Sequence, residues 1–203
     1  MKVLVAMDGS KFGRQALSWG AALPLKDQPR VTAVHVMDIA ALRAPFVSQS
    51  MVAGNERFIQ QEIKRMERKS AETLAEARRQ MRLLRLNGKV KELHGGVAPT
   101  ILKQMPGTHG LIIVGSQGLD ALDRLMLGSV STNVLHHASC PVLIAKAQVK
   151  AVRRIVLAAD GSTSSRRAMK WLLTKFRPTI SMETAQVPIH VTVVHVMPFL
   201  KYP

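Results

Sequence analysis

Short apolar runs alternate along the chain with longer stretches whose apolar residues recur every three or four positions. Val3-Leu4-Val5-Ala6-Met7 is apolar throughout and stops at Asp8-Gly9-Ser10, which predicts a buried strand running into a turn. Phe12, Ala16, Trp19 and Leu23 follow at helical spacing, with Pro24 as a stop. Val31-Thr32-Ala33-Val34-His35-Val36 predicts a second strand. The opening segment therefore reads as a βαβ unit, expected to be parallel with a right-handed crossover. After an irregular stretch over 39–54 that contains Pro45, a long helix is expected over 56–86. Ile59, Ile63, Met66, Ser70, Leu74, Ala77, Met81 and Leu84 mark one stripe of it, and Asn87-Gly88 supplies a C-terminal stop. A weak third strand is expected over 89–93, then a short helix over 98–105 closed by Pro106-Gly107. Leu111-Ile112-Ile113-Val114 is apolar at every position, as an interior parallel strand requires. Residues 130–137 predict a helix and Val142-Leu143-Ile144-Ala145 a fifth strand. Strands alternating with helices indicate an α/β fold, an open sheet with helices on both faces.

The pattern then starts again. Residues 2–10 (KVLVAMDGS) align with 154–162 (RIVLAADGS), and Ala16 and Trp19 match Ala168 and Trp171 at the same offset. Beyond a small insertion, 31–37 (VTAVHVM) matches 191–197 (VTVVHVM). Two strands, a turn and a helix face in the same order constitute an internal repeat. The expected organisation is one complete domain over 1–147, then a linker at 148–152 and a partial second copy, together 148–203. Truncation of a tandem ancestor is the preferred explanation of the partial copy; docking by strand exchange is the other.

Composition narrows the picture. A length of 203 residues suits one domain and a remainder, taking about 150 residues per domain. With 47% hydrophobic but only 4% aromatic residues, the core must be built from Val, Leu, Ile, Ala and Met. No apolar run approaches the ~20 residues that span a bilayer, and Asp8 arrives too early for a signal-peptide core. The one cysteine, Cys140, cannot form an internal disulfide, so a reducing, cytoplasmic setting is expected. The net charge of +16 raises nucleic acid or an acidic partner as an alternative. Much of it lies over 64–91, where Lys and Arg alternate with Glu on a predicted helix, the pattern of a solvated face. No aromatic platform or nucleic-acid motif accompanies it.

The residues that carry chemistry lie elsewhere. Gly115-Ser116-Gln117-Gly118 directly follows the fourth predicted strand; nine residues later Gly128-Ser129 opens a predicted helix. Glycine lets backbone approach a ligand and lets N–H groups converge. Ser129 is expected to cap the helix, whose positive end favours an anion. Both pairs sit at the carboxyl ends of strands, where open α/β sheets bind ligands, and together they make a phosphate cradle. It is not a Walker A loop, since no Gly-Lys-Ser/Thr occurs. Nor is it a Rossmann fingerprint, since the glycines do not occupy the first βα turn.

Gly-x-x-Gly, nine residues, Gly-Ser, with Cys140-Pro141-Val142-Leu143-Ile144 downstream, resembles the ATP-binding class of the universal stress protein family. Asp8-Gly9-Ser10 and His35-Val36 match as well, and the resemblance covers 1–147 and resumes over 153–203. It implies a five-stranded parallel sheet of order 3-2-1-4-5, adenine nucleotide alpha hydrolase-like, with a site for ATP and Mg²⁺. Asp8 would lie near the ribose and the metal, and the backbone of Val36 at the adenine edge. Gly115, Gly118, Gly128 and Ser129 would meet the phosphates, with Val130 and Ser131 beside them. The resemblance also implies a homodimer paired through the fifth strand, Val142 to Ala145, an apolar edge that is a liability if uncovered. Cys140 reads as a small buried hydrophobe rather than a nucleophile. The adjacent pair His136-His137 points two ways on a helix and predicts no metal site. Arg124 is open between phosphate contact and plain exposure. With no Walker-type Lys and Asp8 as its one acid, the cradle suits ATP binding in a regulatory or stress-response role rather than efficient catalysis. A weak ATPase and a basic nucleic-acid or acidic-partner binder are the alternatives. The second copy lacks the glycine loop, so Asp160 is expected to bind no nucleotide.

Overall fold

β1 (Lys2–Ala6) and β4 (Leu111–Gly115), both apolar at nearly every position, lie side by side in the middle of a parallel sheet, with Leu4 opposite Ile112. Interior parallel strands are covered on both faces and must be apolar on both. β2 (Arg30–Met37) and then β3 (Asn87–His94) extend the sheet beyond β1, and β5 (Val142–Ala145) extends it beyond β4. The order 3-2-1-4-5 is that of the adenine nucleotide alpha hydrolase-like α/β fold expected from the sequence. The computed structural model describes residues 1–39, 56–105, 110–118, 127–177, 179–182 and 185–195. The irregular stretch around Pro45, the Pro106-Gly107 stop, Arg124 and residues 196–203 of the expected second copy lie outside them. The chain divides into two units, 1–21 with 29–149 and 22–28 with 150–203.

Helices cover both faces of the first unit's sheet. α1 (Lys11–Ala22) buries Gly13, Ala16, Leu17 and Gly20, and Gly20 approaches Val5, Val31 and Ile113. On the other face Leu4, Val34, Val36, Ile112 and Val114 share a cluster with Ile101 of α3 (Val97–Lys103) and Val134 of α4 (Ser129–His137). α2 (Glu56–Leu83) buries Ser70, Leu74, Ala77 and Met81 from the expected stripe.

The end of α2 corrects the sequence reading. Asn87-Gly88 does not stop the helix. Arg85 takes the left-handed conformation (φ 51), donating from its N–H to the Arg82 carbonyl while Leu86 N–H reaches back to Met81. This pair of bonds closes a Schellman motif without a glycine. Asn87 and Gly88 already belong to β3, which begins two residues earlier than expected. A Cβ at Gly88 would stand 1.7 Å from the Val31 carbonyl oxygen, so the sheet, not the helix end, requires this glycine.

In the second unit β6 (Arg154–Ala158) leads through α5 (Thr163–Lys175) to β9 (His190–Val194), which pairs with β6 in parallel. The inserted residues form an antiparallel hairpin, β7 (Thr179–Met182) and β8 (Ala185–Pro188). Residues 22–28 belong to this unit: Lys26 N–H donates to the Lys175 carbonyl, and the Arg177 guanidinium donates to the Lys26 carbonyl. The repeat extends to hydrogen bonds. Ser10 N–H donates to Asp8 Oδ1 at 2.9 Å and Ser162 N–H to Asp160 Oδ1 at 2.9 Å. His35 Nδ1 meets the Met7 carbonyl at 2.8 Å, and His195 Nδ1 meets the Ala159 carbonyl at 2.5 Å. Among the described residues, no helix is long and apolar enough to cross a membrane.

Candidate functional site

β1 and β4 are neighbours, so the loops leaving their carboxyl ends open beside each other. Gly115 closes β4, and a Cβ there would lie 2.8 Å from Phe12 Cβ and 2.9 Å from the Phe12 carbonyl carbon. The bare backbone at Gly115 lets the start of α1 sit directly on the end of β4. A Cβ at Gly13 would likewise lie 2.8 Å from Asp8 Oδ1, so its absence leaves room for the carboxylate. Asp8 is fixed by the Ser10 N–H at Oδ1, while Oδ2 lies 3.2 Å from where a Cβ of Gly118 would stand. One carboxylate oxygen is thus held by the turn and the other turns to the glycine loop.

Two bonds tie α4 to that loop. Gly128 N–H donates to the Ser116 carbonyl at 2.8 Å, and Ser131 Oγ donates to the Gly115 carbonyl at 2.6 Å. Ser129 does not cap α4 as expected. Gly128 occupies the N-cap position with extended backbone, and Ser129 is the first helical residue. No acidic residue stands in the first turn. The helix's own ladder begins with Thr132 N–H to the Gly128 carbonyl, which leaves the N–H groups of Ser129, Val130 and Ser131 outside it. These groups and the helix dipole place partial positive charge at the mouth of the loop.

All eight residues singled out from the sequence — Asp8, Val36, Gly115, Gly118, Gly128, Ser129, Val130 and Ser131 — line one cavity of about 400 Å³. That volume falls in the range of small-molecule sites. The walls differ in character. Val36, with Val97 and Ile101 of α3, supplies aliphatic carbon, whereas Asp8, the glycines and the α4 amides supply polar groups. Val97, Ile101, Gly13, His35 and Gln117 were not assigned from the sequence. Val97 and Ile101 stand one helical turn apart, which is the signal that could have found them. His35 stands next to Val36 in the motif, but its ring is tied to the Met7 carbonyl. Among the described lining residues there is one carboxylate and no Lys or Arg.

The other candidates stay apart from this cavity. Burial raises the Cys140 thiol above its ordinary value, and Sγ packs 3.5 Å from Met105 Sδ, as suits a small hydrophobe rather than a nucleophile. His137 Nδ1 bonds its own helix at the Asn133 carbonyl, and the described residues hold no cluster of three metal-ligating side chains. On α2, Arg65 pairs with Glu62, Arg68 with Glu72 and Arg79 with Glu76, all at the surface.

A sequence profile of the universal stress protein family matches residues 1–146. The chain belongs to that family. The universal stress protein YxiE of Bacillus subtilis is 30% identical over 146 residues, covering 71% of this chain and 98% of its own length. A universal stress protein of Mycolicibacterium smegmatis is 27% identical over 171 residues, covering 80% of this chain but 55% of its own. This universal stress protein therefore spans about half the length of that relative. In fold it is similar to a universal stress protein of Archaeoglobus fulgidus, with a TM-score of 0.63 at 17% identity, over 97% of this chain and 79% of that one.

Proposed function

We propose that this universal stress protein binds ATP with Mg²⁺ in the cavity at the ends of β1 and β4, in a regulatory, stress-response role. The observation that carries the reading is the juxtaposition of an uncapped helix start, bare glycine backbone and a single carboxylate on the wall of one cavity. The free N–H groups of Ser129, Val130 and Ser131 suit phosphate oxygens. The aliphatic wall at Val36, Val97 and Ile101 suits a flat purine. Mg²⁺ takes one or two carboxylates together with phosphates, and Asp8, with Oδ2 facing the glycine loop, supplies one. Bound Mg²⁺ would neutralise phosphate charge that no Lys or Arg among the described lining residues meets. Fast hydrolysis needs strong stabilisation of the transferring phosphoryl group and a placed base; the described lining offers neither beyond Asp8. Binding rather than turnover is the function.

We further propose that residues 148–203 are a linker and a partial second copy of the domain, which the matched turns and histidine bonds support. The sequence of the second copy contains no Gly-x-x-Gly loop to accompany Asp160, which on this reading binds no nucleotide. β5 ends the sheet with Val142, Leu143 and Ile144 half-buried, and pairing of two such edges supports a homodimer. With one cysteine, the cytoplasm is the compartment proposed.

The test is thermal unfolding of ligand-free protein with MgATP. Ligand at ~100 times its dissociation constant stabilises by about 2.7 kcal/mol, so the midpoint should rise. Gly118→Val should keep the circular dichroism spectrum and lose that rise. No rise with any adenine nucleotide, or an unchanged rise in Gly118→Val, overturns the proposal.

A further inference from the structure

The charge along α2 and into β3 is unevenly distributed. Residues 56–76 carry five acids and five bases, while residues 77–91 carry six bases and no acid. In the first stretch the acids and bases are interspersed and partly paired, as Arg65–Glu62 and Arg68–Glu72. In the second stretch Arg79 takes Glu76, and Glu92 is engaged by Ser70 and His94. Among the described residues Arg78, Arg82, Arg85 and Lys89 face no carboxylate, and all four are exposed. These four line a second concavity, about 310 Å³ in volume, whose floor is Met81, Leu86, Gly88 and Val90. The helix dipole accounts for a cation in the last turn, such as Arg82. It does not account for Arg78 a turn earlier, or for Lys89 on β3. The left-handed turn at Arg85 swings the chain from α2 straight into β3, and that turn brings the four cations around one hollow.

We infer that this hollow is a second anion site, for a small oligophosphate. Guanidinium groups bind phosphate oxygens in forked pairs, and like charges gathered without counter-charge gain most from a multivalent anion. The described lining contains no aromatic side chain, and so no platform on which bases of single-stranded nucleic acid would stack. The hollow lies at the amino end of β3, whereas Asp8 and Gly115 stand at the carboxyl ends of β1 and β4. It is therefore separate from the proposed nucleotide cavity, and its occupancy does not depend on that proposal.

Calorimetric titration of the full chain with inorganic triphosphate tests it, against the variant R78Q/R82Q. Losing two charge-assisted contacts should weaken triphosphate binding by about tenfold or more, with MgATP affinity unchanged. K89Q on β3, which leaves α2 intact, should weaken triphosphate binding severalfold and serves should the double variant not fold. Equal triphosphate affinity in wild type and both variants overturns the inference. So does tight binding of a duplex DNA that triphosphate fails to displace, since the surface would then be a nucleic-acid face.

Discussion

Two βαβ segments of this chain carry the same pattern of residues and end in different surroundings. β1–α1–β2 and β6–α5–β9 share the aspartate turn, the left-handed glycine (φ 82 at Gly9, 77 at Gly161), the parallel pairing and the histidine bond to a carbonyl. Yet Leu4 and Val31 are 0% exposed, while their counterparts Val156 and Val191 are 70% and 47% exposed. Short-range pattern is enough to write the turn, the crossover and the register twice. It does not bury them. Burial of β1 and β2 needs β4 on one side and β3 on the other, with helices above and below. Among the described residues, β6 and β9 pair only with each other.

The largest effect that separates the two copies is a core truncation. Leu4→Ala should destabilise the first unit by about 3 kcal/mol, read from the urea midpoint. Val156→Ala should change stability by no more than about 0.5 kcal/mol; a cost equal to that of Leu4→Ala would mean that β6 is covered and the contrast fails. Next in size, Asp8→Asn should weaken MgATP binding by about tenfold, the scale of one charge-assisted contact, while Asp160→Asn leaves it unchanged. If both weaken binding, the second copy takes part in the site. A chain ending at Ala147 should bind MgATP as tightly as the whole, and limited proteolysis of the whole chain should cut first within 148–154 or 177–187. Loss of the nucleotide from the shortened chain would make the second copy integral to the first.

The smallest effect is a pH dependence confined to the second copy. The Ser162 hydroxyl and N–H, with Ser165, hold the fully exposed Asp160 carboxyl at about 2, below its ordinary 3.8. A folded-state value below the unfolded one adds stability above pH 3.8, which is lost as pH falls toward 2. Amide exchange at Ser162 and Ser165 should quicken over that window, and Asp160→Asn should flatten the response.

Much of this architecture was legible because it is local. Uniformly apolar runs marked β1 and β4 as interior strands, and the two glycine pairs fell at the strand end and helix start that line the cavity. Three features were illegible for definite reasons. An arginine, not a glycine, takes the left-handed position that closes α2, while Gly88 answers to the sheet, a demand set by Val31, more than fifty residues away. β3 reads weakly because the edge of the sheet tolerates Lys89, Lys91 and Glu92. Ser129 looked like a cap because serine favours that position, but the Gly128 N–H bond to Ser116 moves the helix start by one residue.

The glycines of the loop after β4 and the start of α4 also foretell how relatives should drift apart. A methyl at position 115 would strike Phe12 at 2.8 and 2.9 Å, whether or not a ligand is present. At Gly118 the nearest described atom is the tip of one carboxylate at 3.2 Å, and at Gly128 it is Gln117 Cα at 3.4 Å. Packing holds the first; under the proposed function, nucleotide holds the other two. A lineage that stopped using nucleotide would keep glycine at 115 and let 118 and 128 wander. Aligned descendants would then record the loss of the ligand in two columns, with the third unchanged.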